Sequence, residues 1–151
     1  MGFWDNLKSK ASQLTGDISG SMKKFKSKSL MEGIVAGCAL VTVADGAVKP
    51  EEKAKMIGFM QINDALKVFD VKEIIDAFEK YIKNFDFDYA IGKGEVLKAV
   101  RKFKNNQDEA KLLVRVCCVI GSSDGDFDEA EKKAVREICA ELNLSPSEFG
   151  L

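Results

Sequence analysis

Apolar residues recur along most of this chain at helical spacing, three and four apart. Residues 30–44 carry Leu30, Ile34, Val35, Cys38, Val41 and Val43, with Glu32 as the single charge. A helix this apolar is buried on most sides. Gly46 suits the left-handed position that ends such a helix. Pro50, Glu51 and Glu52 then suit the first turn of another, running to about residue 61 over Ala54, Ile57 and Met60. A short helix is predicted over 65–69. Asp70, with Glu73 three residues on, has the form of a capping box and opens a helix that buries Ile74, Ile75, Phe78, Tyr81, Ile82 and Phe85. Residues 86–88 break it and cap the next, predicted over 88–104, where Gly92-Lys93-Gly94 marks a weak spot and a candidate kink. A second very apolar helix spans 107–122. Asp128 and Glu131 form a D-x-x-E box at the start of the last one, which runs to about residue 142.

The two apolar helices introduce the same pattern twice. At an offset of 79 residues, Cys38 falls on Cys117, Asp45 on Asp124, Gly46 on Gly125, Val48 on Phe127, Glu52 on Glu131 and Lys53 on Lys132. Each copy reads apolar helix, Asp-Gly, an apolar plug, Glu, second helix. Two copies at so long an offset point to a duplicated helix-loop-helix, not a solenoid. The predicted fold is all-α: a single-domain bundle of about seven helices over 30–151, with internal pseudo-twofold symmetry.

Residues 1–29 stand apart as a basic arm. They hold six lysines against two aspartates in a chain of net charge −1, so the body is acidic. Phe3, Trp4 and Leu7 begin an amphipathic pattern, and Lys23, Lys24, Lys26 and Lys28 surround Phe25. Aromatic residues and lysines in this arrangement suit an anionic membrane surface or a partner. A flexible, solvated tail accounts for the same composition, because Gly16 and Gly20 weaken a helix. An acidic body with one short basic stretch argues against nucleic acid.

The chain has no histidine, which removes histidine-based catalysis and histidine-ligated metal sites. Its cysteines, Cys38, Cys117, Cys118 and Cys139, form no C-x-x-C pair and sit in apolar helical runs, as buried small hydrophobes do. No segment reaches the length of about 18 apolar residues that a spanning helix needs. The expectation is a cytoplasmic protein, free or peripheral on the inner membrane.

The remaining candidate chemistry is acidic. Asp124, Asp126, Asp128, Glu129 and Glu131 lie within eight residues. Oxygen donors without histidine or thiolate favour calcium, with magnesium and manganese as the other hard cations. The spacing is not that of an EF-hand, because Gly125 comes second and position twelve is Val135. Asp45 and Glu52 join the set as metal-ligand candidates if the two halves pack together. Glu129 is the weakest of the acidic set. On spacing alone, turns and helix caps explain the same residues.

The duplicated A-D-G-x-V-x-x-E-E and S-D-G-D-F-D-x-x-E segments, each between helices, resemble the tellurite-resistance TerB family, which is related to the helical domain of DjlA co-chaperones. The resemblance covers about residues 30–143. It implies an all-α fold with metal-chelating acidic loops, resistance to tellurium oxyanions and related stress, and membrane-spanning and calcium-binding partners. By position it carries Asp45, Glu52, Asp124 and Glu131; Lys49 departs from an acidic first loop. Three readings follow. One is a divalent-cation-binding interaction module at the cytoplasmic face of the membrane. Another is a metal-free helical adaptor. The third is a thiol-dependent reductase of tellurium oxyanions, which only Cys117-Cys118 recommends.

Overall fold

The structure is a computed structural model; it describes residues 28–44, 54, 57–58, 70–122 and 127–151. Five α-helices are bounded among the described residues: α1 (Lys28–Val43), α2 (Val71–Phe87), α3 (Tyr89–Arg101), α4 (Gln107–Gly121) and α5 (Glu129–Glu141). A 3₁₀ turn, Pro146–Phe149, follows them. No strand occurs among the described residues, so the all-α class holds. Ala54, Ile57 and Gly58 are helical, within the stretch predicted as the second helix. The short helix predicted over 65–69 and both Asp-Gly dipeptides lie outside the described residues.

The most apolar segment is the centre of the molecule. From Leu30 to Val43 only Glu32 and Thr42 escape full burial, and α1 packs against α2, α3, α4 and α5 together. The Thr42 hydroxyl is satisfied within the helix, donating to the Cys38 carbonyl at 2.8 Å. Two glycines let neighbours approach this closely. A Cβ on Gly33 would lie 2.6 Å from the Phe103 ring, and one on Gly37 would lie 2.7 Å from the Cys117 sulfur.

The surrounding helices each turn one stripe inward. In α2 the stripe is Ile74, Ala77, Phe78, Tyr81 and Ile82, the i, i+3, i+4, i+7 spacing of an amphipathic helix. Asp70 caps it by accepting from the Lys72 amide at 2.8 Å. Asp88 ends α2 and begins α3 at once. Its amide donates to the Asn84 carbonyl at 3.1 Å, and its carboxylate accepts from the Ile91 amide at 3.1 Å. That double use is why residues 86–88 both break and cap.

The predicted weak spot in α3 is instead a packing point. The helix runs on through both glycines, with the Gly92 amide donating to the Asp88 carbonyl at 2.9 Å. Gly92 is buried against Phe85, whose ring and Cα would stand 2.6 and 2.8 Å from an added Cβ. The helix also ends earlier than predicted, at Arg101, before turns that bury Phe103. Ion pairs tie α3 to α5: Lys93 to Glu137, and Arg101 to Glu141 at 2.9 Å.

Candidate functional site

The acidic segment reaches the described structure at the start of α5. Phe127 comes first, half-buried against the core. It lies on α4 where Gly121 leaves room; a Cβ there would be 2.8 Å from the ring. This is the apolar plug that the sequence predicts ahead of the last helix. Asp128 follows in an extended conformation as the N-cap. Its Oδ1 accepts from the Glu131 amide at 2.8 Å, and its own amide donates to Glu131 Oε1 at 3.1 Å. The capping box is therefore closed in both directions. It holds two of the predicted ligand carboxylates on one helix start, where the helix dipole favours negative charge. Glu129 turns away toward Arg136, 3.4 Å distant along the same helix.

Asp45, Glu52, Asp124 and Asp126, the other four predicted metal ligands, lie outside the described residues. So do Phe3, Trp4, Leu7, Lys23, Lys24, Phe25 and Lys26 of the arm, while Lys28 is the first residue of α1. Among the described residues no group of three or more ligating side chains could hold a metal. No described helix is long and apolar enough to cross a membrane.

Ala44, just before Asp45, and Ala130, two residues after Asp128, line one pocket of about 220 Å³ between α1 and α5. Lys93, Lys133 and Glu137 line it as well. The hydrogen bond to Glu137 raises the Lys93 pKa above its ordinary value. Two lysines against one glutamate make this pocket a poor cation site. No sequence signal marks Lys93 or Glu137, because their pairing spans 44 residues.

The thiols occupy the opposite kind of environment. Cys38, Cys117 and Cys139 are buried and Cys118 is half-buried, all four free. Cys38 and Cys117, register counterparts in the duplicated pattern, are hydrogen-bonded to each other. That bond, with complete burial, holds the Cys117 thiol far above its usual range. Burial, aided by Cys139, pushes Cys118 up to about 12. Burial and the Glu148 carboxylate push Cys139 up to about 11. A nucleophilic or redox thiol needs the reverse, a lowered pKa and access.

A helical bundle with an acidic capped helix start and three of its four thiols buried defines an all-α protein among its described residues. The family model described as tellurite resistance protein TerB matches residues 31–151, and the chain belongs to that family. It is 40% identical over 116 residues to the tellurium resistance protein TerB of an Alcaligenes species, covering 77% of this chain and 95% of that protein. No solved structure matches.

Proposed function

We propose that the chain serves tellurite resistance as a non-enzymatic interaction module whose acidic loops bind a divalent cation, calcium first among them. The resistance role rests on family membership and on the relative's printed name. The cation reading rests on one observation: five carboxylates between residues 124 and 131, with Asp128 and Glu131 fixed on one helix start beside the end of α1. The raised pKa values of Cys117 and Cys118, with Cys117 buried and Cys118 half-buried, weigh against a reductase.

The duplication belongs to this reading, with about seven helices in all. Residues related by a twofold axis touch each other only near the axis, and Cys38 and Cys117 do so. Asp45 and Glu52 then complete the ligand set with Asp124, Asp126, Asp128 and Glu131. The arm, with its lysines and aromatic residues, attaches the protein to the anionic cytoplasmic face of the inner membrane. There it meets membrane-spanning and calcium-binding partners. Vesicle co-sedimentation with and without residues 1–29 tests that part; equal binding by both chains refutes it.

The metal-free adaptor is the alternative, favoured by the closed capping box, which already gives Asp128 and Glu131 a structural use. Thermal melting of wild type and Asp124→Asn, with and without calcium at matched ionic strength, separates the two. Calcium at a hundredfold excess over its dissociation constant stabilises the wild type by about 2.7 kcal/mol if it binds only the folded state, and Asp124→Asn loses most of that gain. An equal, salt-like response in both proteins leaves the loops as turns and caps.

A further inference from the structure

A second cavity, of about 540 Å³, opens on the far side of α4. This volume is inside the range of small-molecule sites, about 300–1,000 Å³. One face of α4 supplies Arg115, Cys118, Val119 and Ser122, spaced i, i+3, i+4 and i+7. The opposite wall is built by the start of α5 and by residues 148–151. That wall is shaped by specific devices. Gly121 lets the Phe127 ring pack close against α4. Gly150, at φ 75°, turns the chain back so that the Leu151 amide donates to the Pro146 carbonyl at 3.1 Å.

The lining divides by chemistry. Val119, Phe127, Phe149 and Leu151 form an apolar floor that packs on the core. Arg115 and Lys132 stand over it, and neither forms an ion pair with a described residue. Glu148, the acidic side chain among the described residues that line the cavity, faces Lys111 at 3.7 Å. An apolar floor beneath two cations that pair with no described carboxylate is complementary to one kind of occupant.

We infer that this cleft binds a small amphipathic carboxylate, with its apolar body on Val119, Phe127, Phe149 and Leu151 and its carboxylate between Arg115 and Lys132. Arginine matches a carboxylate with a two-pronged donor and lysine adds a point charge. The cleft shares a wall with the start of α5, but the carboxylate site uses Arg115 and Lys132 and neither Asp128 nor Glu131, so it is tested separately from the cation reading.

The test is a titration of the full-length protein with decanoate, kept below micelle formation and followed by amide NMR, beside decan-1-ol and decylammonium. Decanoate should give saturable shifts centred on Cys118, Val119, Phe127 and Leu151. The Arg115→Gln/Lys132→Gln double variant should weaken binding about tenfold or more, the loss expected from removing charge-assisted hydrogen bonds. Decan-1-ol and decylammonium should bind more weakly than decanoate to the wild type. Shifts that do not saturate, shifts centred elsewhere, equal binding of all three probes, or an unaffected double variant would each overturn the assignment.

Discussion

At the scale of single residues, glycines decide how closely the helices pack. Gly92 and Gly94 look alike in sequence, two glycines around a lysine, and predict a weak helix. In the structure they are opposites. A Cβ on Gly92 meets the ring and backbone of Phe85 at 2.6–2.8 Å, whereas one on Gly94 meets nothing within 4 Å. Backbone atoms cannot swing aside as a flexible side chain can. Gly92→Ala should therefore destabilise by about 1–3 kcal/mol, as overpacking does. Gly94→Ala should stabilise by about 0.5–1 kcal/mol, because alanine removes backbone freedom from the unfolded chain and suits a helix interior. Urea unfolding of the two variants measures both. Equal effects of one sign would show that the α2–α3 contact is looser than a 2.6–2.8 Å approach implies. Sequence could give the glycines but not their partners, since Phe85 and Gly92 meet only after the chain reverses at Asp88.

At the scale of elements, helix starts were the most legible feature. Asp70, Asp88 and Asp128 are N-caps as their positions predict, although Asp70 accepts from the Lys72 amide and not from that of Glu73, because an N-cap depends on a few neighbouring residues and on little else. Asn106 adds a fourth cap, accepting from the Glu109 amide and donating to its carboxylate, each at 3.1 Å. Asp128→Ala removes the acceptor for the Glu131 amide and should lower stability by about 1 kcal/mol. Asp128→Asn keeps an acceptor and should cost less. Chemical denaturation in chelator isolates this capping contribution from any bound metal. Identical midpoints for wild type and Asp128→Ala would mean that the capping box adds nothing to stability. At the candidate site, the pairing of Asp128 with Glu131 at one helix start was legible in the same local way. Its convergence was not: whether the loop after α1 meets the loop before α5 is a matter of packing between distant segments.

At the scale of the whole molecule, the burial of α1 and α4 was readable from their composition, but their meeting was not. α1 proves to be the axis of the bundle, touching four helices, and its Cys38 meets the counterpart Cys117. The ion pairs from α3 to α5 were equally hidden, with 40 residues separating Arg101 from Glu141. This central cluster makes stability depend on pH. Unfolded thiols ionise near their ordinary value of 9.0, while folded Cys139 and Cys118 are held protonated up to about 11 and 12, and Cys117 is shifted in the same direction. Above pH 9.0 the unfolded state therefore binds fewer protons than the folded one, and stability falls as pH rises. The contribution is fully present below the unfolded value and is lost as pH climbs through the folded ones. Tyr81, its pKa raised by burial and by Glu32 and Glu95, acts with the same sign higher up. A variant with Cys117→Val and Cys118→Ala isolates the thiols, because lysines and Tyr81 titrate in both proteins. Melting between pH 8 and pH 11 should show a shallower alkaline decline in the variant than in the wild type, whatever its stability at neutral pH. Parallel declines would mean that these thiols ionise as readily in the folded protein as in the unfolded chain. That result would overturn their assignment as inert core residues and restore the case for thiol chemistry.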